Sequence, residues 1–181
     1  MFVETIDLIK NKIDLNNKIL CIPTDTVYGI ACLYDDIKAK NRIFEIKKRD
    51  QLKKIPILIS SIDQINLFKC FINEKVLYLM NKHWPGALTI ILKNDIDSFA
   101  FRMPKCQILL DFINIYGPLA ATSANYSGEK EINDIKKINE IFGDKIDYYI
   151  TNKVRFTSIS STVVDMTTDE LKILRQGEIK I

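Results

Sequence analysis

The chain has 181 residues, 47% of them hydrophobic, and its 26 basic and 23 acidic side chains leave a formal net charge of +3. That length fits one globular domain over 1–181, which would bury about 70% of its unfolded-chain surface, so a core is available without disulfides. A charge this mild gives no case for nucleic-acid binding by itself, and no apolar run reaches the about 20 residues of a membrane span, so neither secretion nor membrane insertion is expected.

Along the chain, apolar periodicity predicts a helix over 2–13, a strand over 19–23 and a helix over 37–48, where Ile37, Ile43, Phe44 and Ile46 supply a core face. A strand over 56–60 follows, then helices over 62–68 and 73–81, the second closed by Trp84-Pro85-Gly86. Strands are predicted over 87–92, 99–102, 119–122, 147–150, 161–165 and 171–174, and helices over 106–115 and 132–142. This mixture points to an α/β fold, a mixed sheet flanked by helices. Cys21, Cys32, Cys70 and Cys106 are far apart, form no C-x-x-C pair and have only His83 to join them, so they read as small buried hydrophobes in a reducing, cytoplasmic compartment. No acidic cluster has metal-ligand spacing, and no metal site is expected.

The polar signals fall where these elements end. Pro23-Thr24-Asp25-Thr26-Val27-Tyr28-Gly29 lies between the apolar runs Ile19 to Ile22 and Ile30 to Leu33. It reads either as a turn capped by Asp25 and Thr26 or as part of a cleft between two core segments. Lys47-Lys48-Arg49 sits at a predicted helix C-terminus, where the macrodipole favours cations; Lys53 and Lys54 extend the charge to the mouth of the next strand, a common place for anionic ligands. Ser123-Ala124-Asn125 follows a small-residue strand that permits close approach, although a Ser/Asn cap explains it equally well. Arg102, Ser161 and Arg175 each close or open a predicted strand. The chain has five arginines among its 26 basic residues, and three of them, Arg49, Arg102 and Arg175, fall in these segments, where a planar fork does what a lysine cannot. His83, at a helix C-terminus, reads as a dipole and packing residue.

Taken together, PTDTVYG, K-x-R at Lys47 and Arg49, WPG at Trp84 to Gly86, R-M-P at Arg102 to Pro104, SAN-x-SG at Ser123 to Gly128, S-T-V-V-D at Ser161 to Asp165 and R-x-G at Arg175 to Gly177 resemble the YrdC-like (TsaC-type) threonylcarbamoyl-AMP synthases. The resemblance spans roughly 19–177 and is closest to the short, single-domain bacterial form. It implies a twisted mixed sheet around a large concave cationic cavity. The implied reaction joins L-threonine, bicarbonate and ATP into L-threonylcarbamoyl-adenylate with release of pyrophosphate. The product would supply a tRNA-modifying threonylcarbamoyl transferase complex, which acts on the adenosine beside the anticodon.

Residue by residue, the resemblance implies ATP contacts at Arg49, Lys53, Ser98, Ser123, Asn125 and Arg175. It implies threonine contacts at Thr26, Arg102 and Ser161, and a catalytic group of Lys47, Arg49, Ser123 and Asn125. Within that group the residue chemistry fits Lys47 as a mobile point charge on the carbamate or α-phosphate, and Mg²⁺ carried in on the ATP phosphates. Asp50 and Lys54 stand where the family commonly has prolines, which predicts a looser loop. Glu131 stands where a small polar residue is common and is left outside the expected site. Two other readings remain: a double-stranded RNA or tRNA-binding module of the same fold without turnover, and a carbamoyl-transfer domain of the hydrogenase-maturation kind. The second belongs to much larger chains with zinc-finger cysteines, which this sequence lacks.

Overall fold

The computed structural model describes residues 1–181. Its elements are β1 (Phe2–Val3), α1 (Thr5–Lys10), β2 (Leu20–Ile22), β3 (Gly29–Leu33), α2 (Ile37–Lys47), β4 (Ile57–Leu58), α3 (Glu74–His83), β5 (Leu88–Lys93), β6 (Ser98–Arg102), α4 (Gln107–Tyr116), β7 (Leu119–Ser123), α5 (Ile135–Phe142), β8 (Tyr148–Ile150), β9 (Thr162–Asp165) and β10 (Lys172–Arg175). The segment Ile62–Phe68, expected as an α-helix, winds as a 3₁₀ helix. All ten strands form one sheet in the order β1-β8-β2-β3-β7-β4-β6-β5-β9-β10. Four neighbouring pairs are parallel (β1 with β8, β2 with β8, β4 with β6, β5 with β9) and the other five antiparallel, so the sheet is mixed.

Side-chain alternation along the central strands explains the layers. Leu20 and Ile22 of β2 and Ala31 of β3 join a cluster with Leu8, Leu109, Phe112 and Ile113, the inner faces of α1 and α4. Their neighbours Cys21, Ile30 and Cys32 point the other way, into a cluster with Ala39 and Ile43 of α2 and Ile138 and Phe142 of α5. A strand covered on both faces reads as a continuous apolar run, which is what 19–22 and 30–33 are. A third cluster packs Val76, Leu79 and Met80 of α3 with Trp84 against Leu88, Ile90 and Phe101. Burial pushes the Cys21 and Cys32 thiols up to about 12, and Cys106 is also buried; Cys70 alone is half-buried, and none is paired.

Helix starts follow the capping residues. Asp36 accepts from the Ala39 amide at 2.8 Å, Asn73 from the Val76 amide at 2.9 Å and Asp134 from the Lys136 amide at 2.9 Å. The expected helix over 2–13 is the main difference. Phe2 and Val3 pair instead with Tyr149 and Ile150 of β8, and the Phe2 ring packs on Tyr149 at 5.3 Å, leaving only Thr5–Lys10 helical. Strand β3 is a second addition; it lies in register with β2 and β7 through the centre of the sheet.

Gly177 carries the turn after β10 so close to the chain before β9 that a Cβ there would lie 2.2 Å from the Ser160 carbonyl oxygen and 2.4 Å from the Ser161 carbonyl carbon. No side-chain movement relieves a clash with backbone. Gly177→Ala is expected to cost about 2 kcal/mol and to lower Tm by at least about 4 °C; an unchanged midpoint in thermal melting would contradict this.

Candidate active site

A cavity of about 160 Å³ opens where the ends of β2, β6, β7 and β10 meet the start of β9. Its lining includes Thr26, Arg49, Arg102, Ser123, Ser161 and Arg175, all expected from the sequence, together with Thr24, Tyr28, Thr89, Thr122 and Ser160. Three of the five arginines therefore face one space. Of the other expected contacts, Lys53, Ser98 and Asn125 do not line it. Lys53 is exposed, and Ser98 lines a separate depression with Tyr34, Lys54 and Asp97, where the Lys54 ammonium donates to its carbonyl at 2.9 Å.

The threonine-rich turn after β2 folds around its own hydroxyls. Thr24 Oγ1 donates to the Val27 carbonyl at 2.7 Å and lies 3.1 Å from Thr26 Oγ1, and Thr26 is fully buried. Arg102, at the end of β6, is held by three bonds. Its Nε donates to the Gly86 carbonyl at 3.0 Å, Nη1 to Thr26 Oγ1 at 2.7 Å and Nη2 to Asp25 Oδ1 at 2.6 Å. The Arg102–Asp25 pair is nearly closed to solvent, with 8% and 13% side-chain exposure. Across the cavity, Arg175 Nε donates to the Ser161 carbonyl at 3.0 Å and Nη2 to Ser161 Oγ at 3.2 Å, while Ser161 Oγ also meets Thr89 Oγ1 at 2.8 Å. Burial lowers the pKa of Arg175 and of Arg49 without threatening the charge of either.

The loop carrying Arg49 is ordered by its own residues. Arg49 donates to the Lys53 and Lys54 carbonyls, each at 3.0 Å, and the Asp50 carboxylate accepts from the Leu52 amide at 2.9 Å. The aspartate thus closes an Asx turn where the family commonly has a proline.

Lys47 does not line the cavity. Only 1% exposed, it directs its ammonium under the loop after β7, donating to the Ser123 and Asn125 carbonyls and to Asn125 Oδ1 at 3.4 Å. Ser123 Oγ donates to the same Asn125 Oδ1 at 2.6 Å, and Asn125 Nδ2 donates to the Tyr126 and Glu129 carbonyls at 2.9 and 2.7 Å. The Ser127 amide returns a bond to the Lys47 carbonyl at 3.0 Å. An ammonium has three N–H groups, and three protein acceptors lie within reach of this one, so in this structure Lys47 braces the loop after β7. Burial first and the Arg49 charge second pull it down to about 8, against the pull of Glu131.

Glu131, expected outside the site, stands at its rim. It accepts a hydrogen bond from Ser160 Oγ, and that bond, with the charges of Arg175 and Lys47, keeps its carboxyl below the usual range. The reading from sequence also passed over Asp25 as a partner of Arg102 and the Gly86 carbonyl as its third anchor. The first has a sequence signal, a carboxylate between two threonines; a backbone carbonyl has none. His83, in the last turn of α3, is not part of the cavity lining. His83→Ala is accordingly expected to leave kcat and both substrate KM values within about twofold, as surface substitutions remote from a site do; loss of turnover in a folded variant would contradict this.

The Sua5/YciO/YrdC family model, described as telomere recombination, matches residues 13–177. A Pyrococcus abyssi protein named threonylcarbamoyl-AMP synthase is 33% identical over 91% of this chain and 52% of its own length. The solved structure of P. abyssi Sua5 in complex with L-threonine superposes with a TM-score of 0.87 at 32% identity, covering 97% of this chain and 55% of that one. The chain thus spans about half the length of these relatives. E. coli YciO shares the fold, with a TM-score of 0.80 at 20% identity over 95% of this chain and 86% of that one.

Proposed function

Because the chain belongs to the Sua5/YciO/YrdC family, we propose that it joins L-threonine, bicarbonate and ATP into L-threonylcarbamoyl-adenylate, releasing pyrophosphate. The observation that carries this reading is one cavity lined by three arginines in two electrical states. Arg102 is neutralised by a buried carboxylate, whereas Arg49 and Arg175 are in no ion pair.

The chemistry suits that division. Threonine's neutral amine adds to carbon dioxide with loss of a proton, or to bicarbonate with loss of water, to give a carbamate; a carbamate oxygen then attacks the α-phosphorus of ATP as the bond to pyrophosphate breaks. Apart from the amine, the groups brought together carry negative charge, so rate comes from positioning and from cancelling repulsion, with no covalent enzyme intermediate. Arg49 and Arg175 take the phosphates. Arg102, Thr26 and Ser161 take threonine's carboxylate and hydroxyl, the guanidinium offering the two N–H groups that the protein leaves open. Ser123, in the cavity lining, contacts the nucleotide, and Asn125 and Lys47 hold its loop in place from beneath. A cavity of about 160 Å³ does not enclose a whole ATP, so the nucleotide extends outward from it. Mg²⁺ arrives as part of the ATP substrate. The product would pass to a tRNA-modifying threonylcarbamoyl transferase complex in the cytoplasm; no helix of the chain is long and apolar enough to cross a membrane.

The test is pyrophosphate release from ATP by the purified protein, with and without L-threonine and bicarbonate, and with serine and valine as controls. The proposal predicts release that requires both threonine and bicarbonate. Folded, ATP-binding protein that releases none would overturn it and shift weight to the RNA-binding reading.

A further inference from the structure

Three guanidinium groups in one small cavity raise a sorting problem. A triphosphate is drawn to any uncompensated arginine, so nothing in the charge of Arg49, Arg102 and Arg175 alone reserves one of them for an amino acid. Glu131 acts on Arg175 only from beyond ion-pair distance, and in direct ion pairing the structure contains one asymmetry among them. Of the chain's four ion pairs only one involves a cavity arginine, the Asp25–Arg102 pair at 2.6 Å. Asp25 itself is not part of the lining. It lies near Cys106, whose thiol is pushed up first by burial and further by the Asp25 charge, and its backbone carbonyl accepts from the Thr157 amide at 3.1 Å. Arg102 therefore presents donor directions to the cavity while the pair carries no net charge.

That is a suitable receptor for a zwitterion and a poor one for a free anion. An α-amino acid at neutral pH brings no net charge and asks for a directed fork at its carboxylate. Inorganic phosphate, pyrophosphate and the ATP tail bring net negative charge and favour a bare cation. Resting on the synthase reading above, we propose that Asp25 is a specificity-determining residue that divides the cavity: by neutralising Arg102 it reserves that end for the amino acid and leaves free phosphates to Arg49 and Arg175.

Asp25→Asn isolates the effect, because the amide oxygen still accepts from Nη2 while the charge is removed. The probe is inorganic phosphate, used as an inhibitor in the pyrophosphate-release assay and titrated calorimetrically into protein without ATP. In the wild type, phosphate is expected to compete with ATP and not with threonine. In Asp25→Asn it should become competitive with threonine, with affinity at that end higher by about 10- to 100-fold, as one unit charge about 7 Å away gives at an effective dielectric near 20. A purely structural role for Asp25 would raise the threonine KM without creating phosphate competition, and that result overturns the proposal. Arg102→Lys supplies a second test: the pair stays neutral, so phosphate must remain non-competitive with threonine even as the threonine KM rises, and competition there also overturns the proposal. Should the wild type release no pyrophosphate, the synthase reading fails by itself. The titration still decides this one, since Asp25→Asn must gain a phosphate affinity that Asp25→Asn/Arg102→Ala loses.

Discussion

Lys47→Met should reduce kcat by about 100-fold, the scale on which a misplacement near 1 Å acts, although the side chain has no place in the cavity lining. Methionine fills a similar volume but leaves the Asn125 carbonyl without a donor, while the Ser123 carbonyl and Asn125 Oδ1 lose one donor each and keep the Asn125 amide at 3.1 Å and Ser123 Oγ at 2.6 Å. An orphaned buried acceptor costs about 1–3 kcal/mol, so a stability loss of about that size accompanies the loss of rate. Because Lys47 acts through Ser123 and Asn125, the ATP KM should rise along with the fall in kcat. The threonine KM should stay closer to its wild-type value. A folded Lys47→Met with wild-type turnover would show that the brace is dispensable.

The same lysine has a pH signature. Its folded-state value of about 8 lies below the ordinary 10.5. Above pH 8 the folded chain gives up a proton that the unfolded chain holds until about 10.5. The unfolded state then binds more protons, so this group's contribution to stability rises with pH through that window. Unfolding midpoints of wild type and Lys47→Met, compared from pH 7.5 to about 10, should differ in slope with that sign; parallel curves would contradict it.

Arg102→Lys is expected to raise the threonine KM by about 10- to 100-fold, the factor carried by a charge-assisted hydrogen bond, while the ATP KM moves less than about twofold. Lysine keeps a cation opposite Asp25 but loses the planar fork that bonds Gly86, Thr26 and Asp25 at once. Arg102→Ala is the harsher change, since it strands a buried carboxylate and should cost about 3–5 kcal/mol in stability as well. Equal effects of Arg102→Lys on the two substrates would remove Arg102 from the threonine end.

Most strands and helices were legible because their apolar residues repeat at the period of the element they form. Ile135, Ile138 and Phe142 mark α5, and the run 119–122 marks β7. The N-terminus was not legible, because Phe2 to Ile13 has helical spacing while Phe2 and Val3 gain more by pairing with β8. Local periodicity carries no information about a partner 147 residues away. Strand β3 was visible only as an apolar flank, since a strand covered on both faces loses the alternation that would announce it.

In the site, arginine forks, hydroxyls and small-residue strands identified much of the cavity lining: Thr26, Arg49, Arg102, Ser123, Ser161 and Arg175 all reach it. What the sequence left open was direction. A lysine at the end of a helix reads alike whether it points to solvent, to a ligand or under a neighbouring loop, and Lys47 takes the last course. Asp25 reads as a turn cap until β6 brings Arg102 beside it. Glu131 reads as an outlier until the segment before β9 brings Ser160 to it.

The most direct test of the central claim is to identify the product. The protein would be incubated with ATP, L-threonine and ¹³C-labelled bicarbonate, and the nucleotide fraction read by mass spectrometry. A threonylcarbamoyl-adenylate carrying one ¹³C, absent when threonine is omitted, is the result this account predicts. ATP hydrolysed to unmodified AMP or ADP, with no label entering an adenylate, would contradict it.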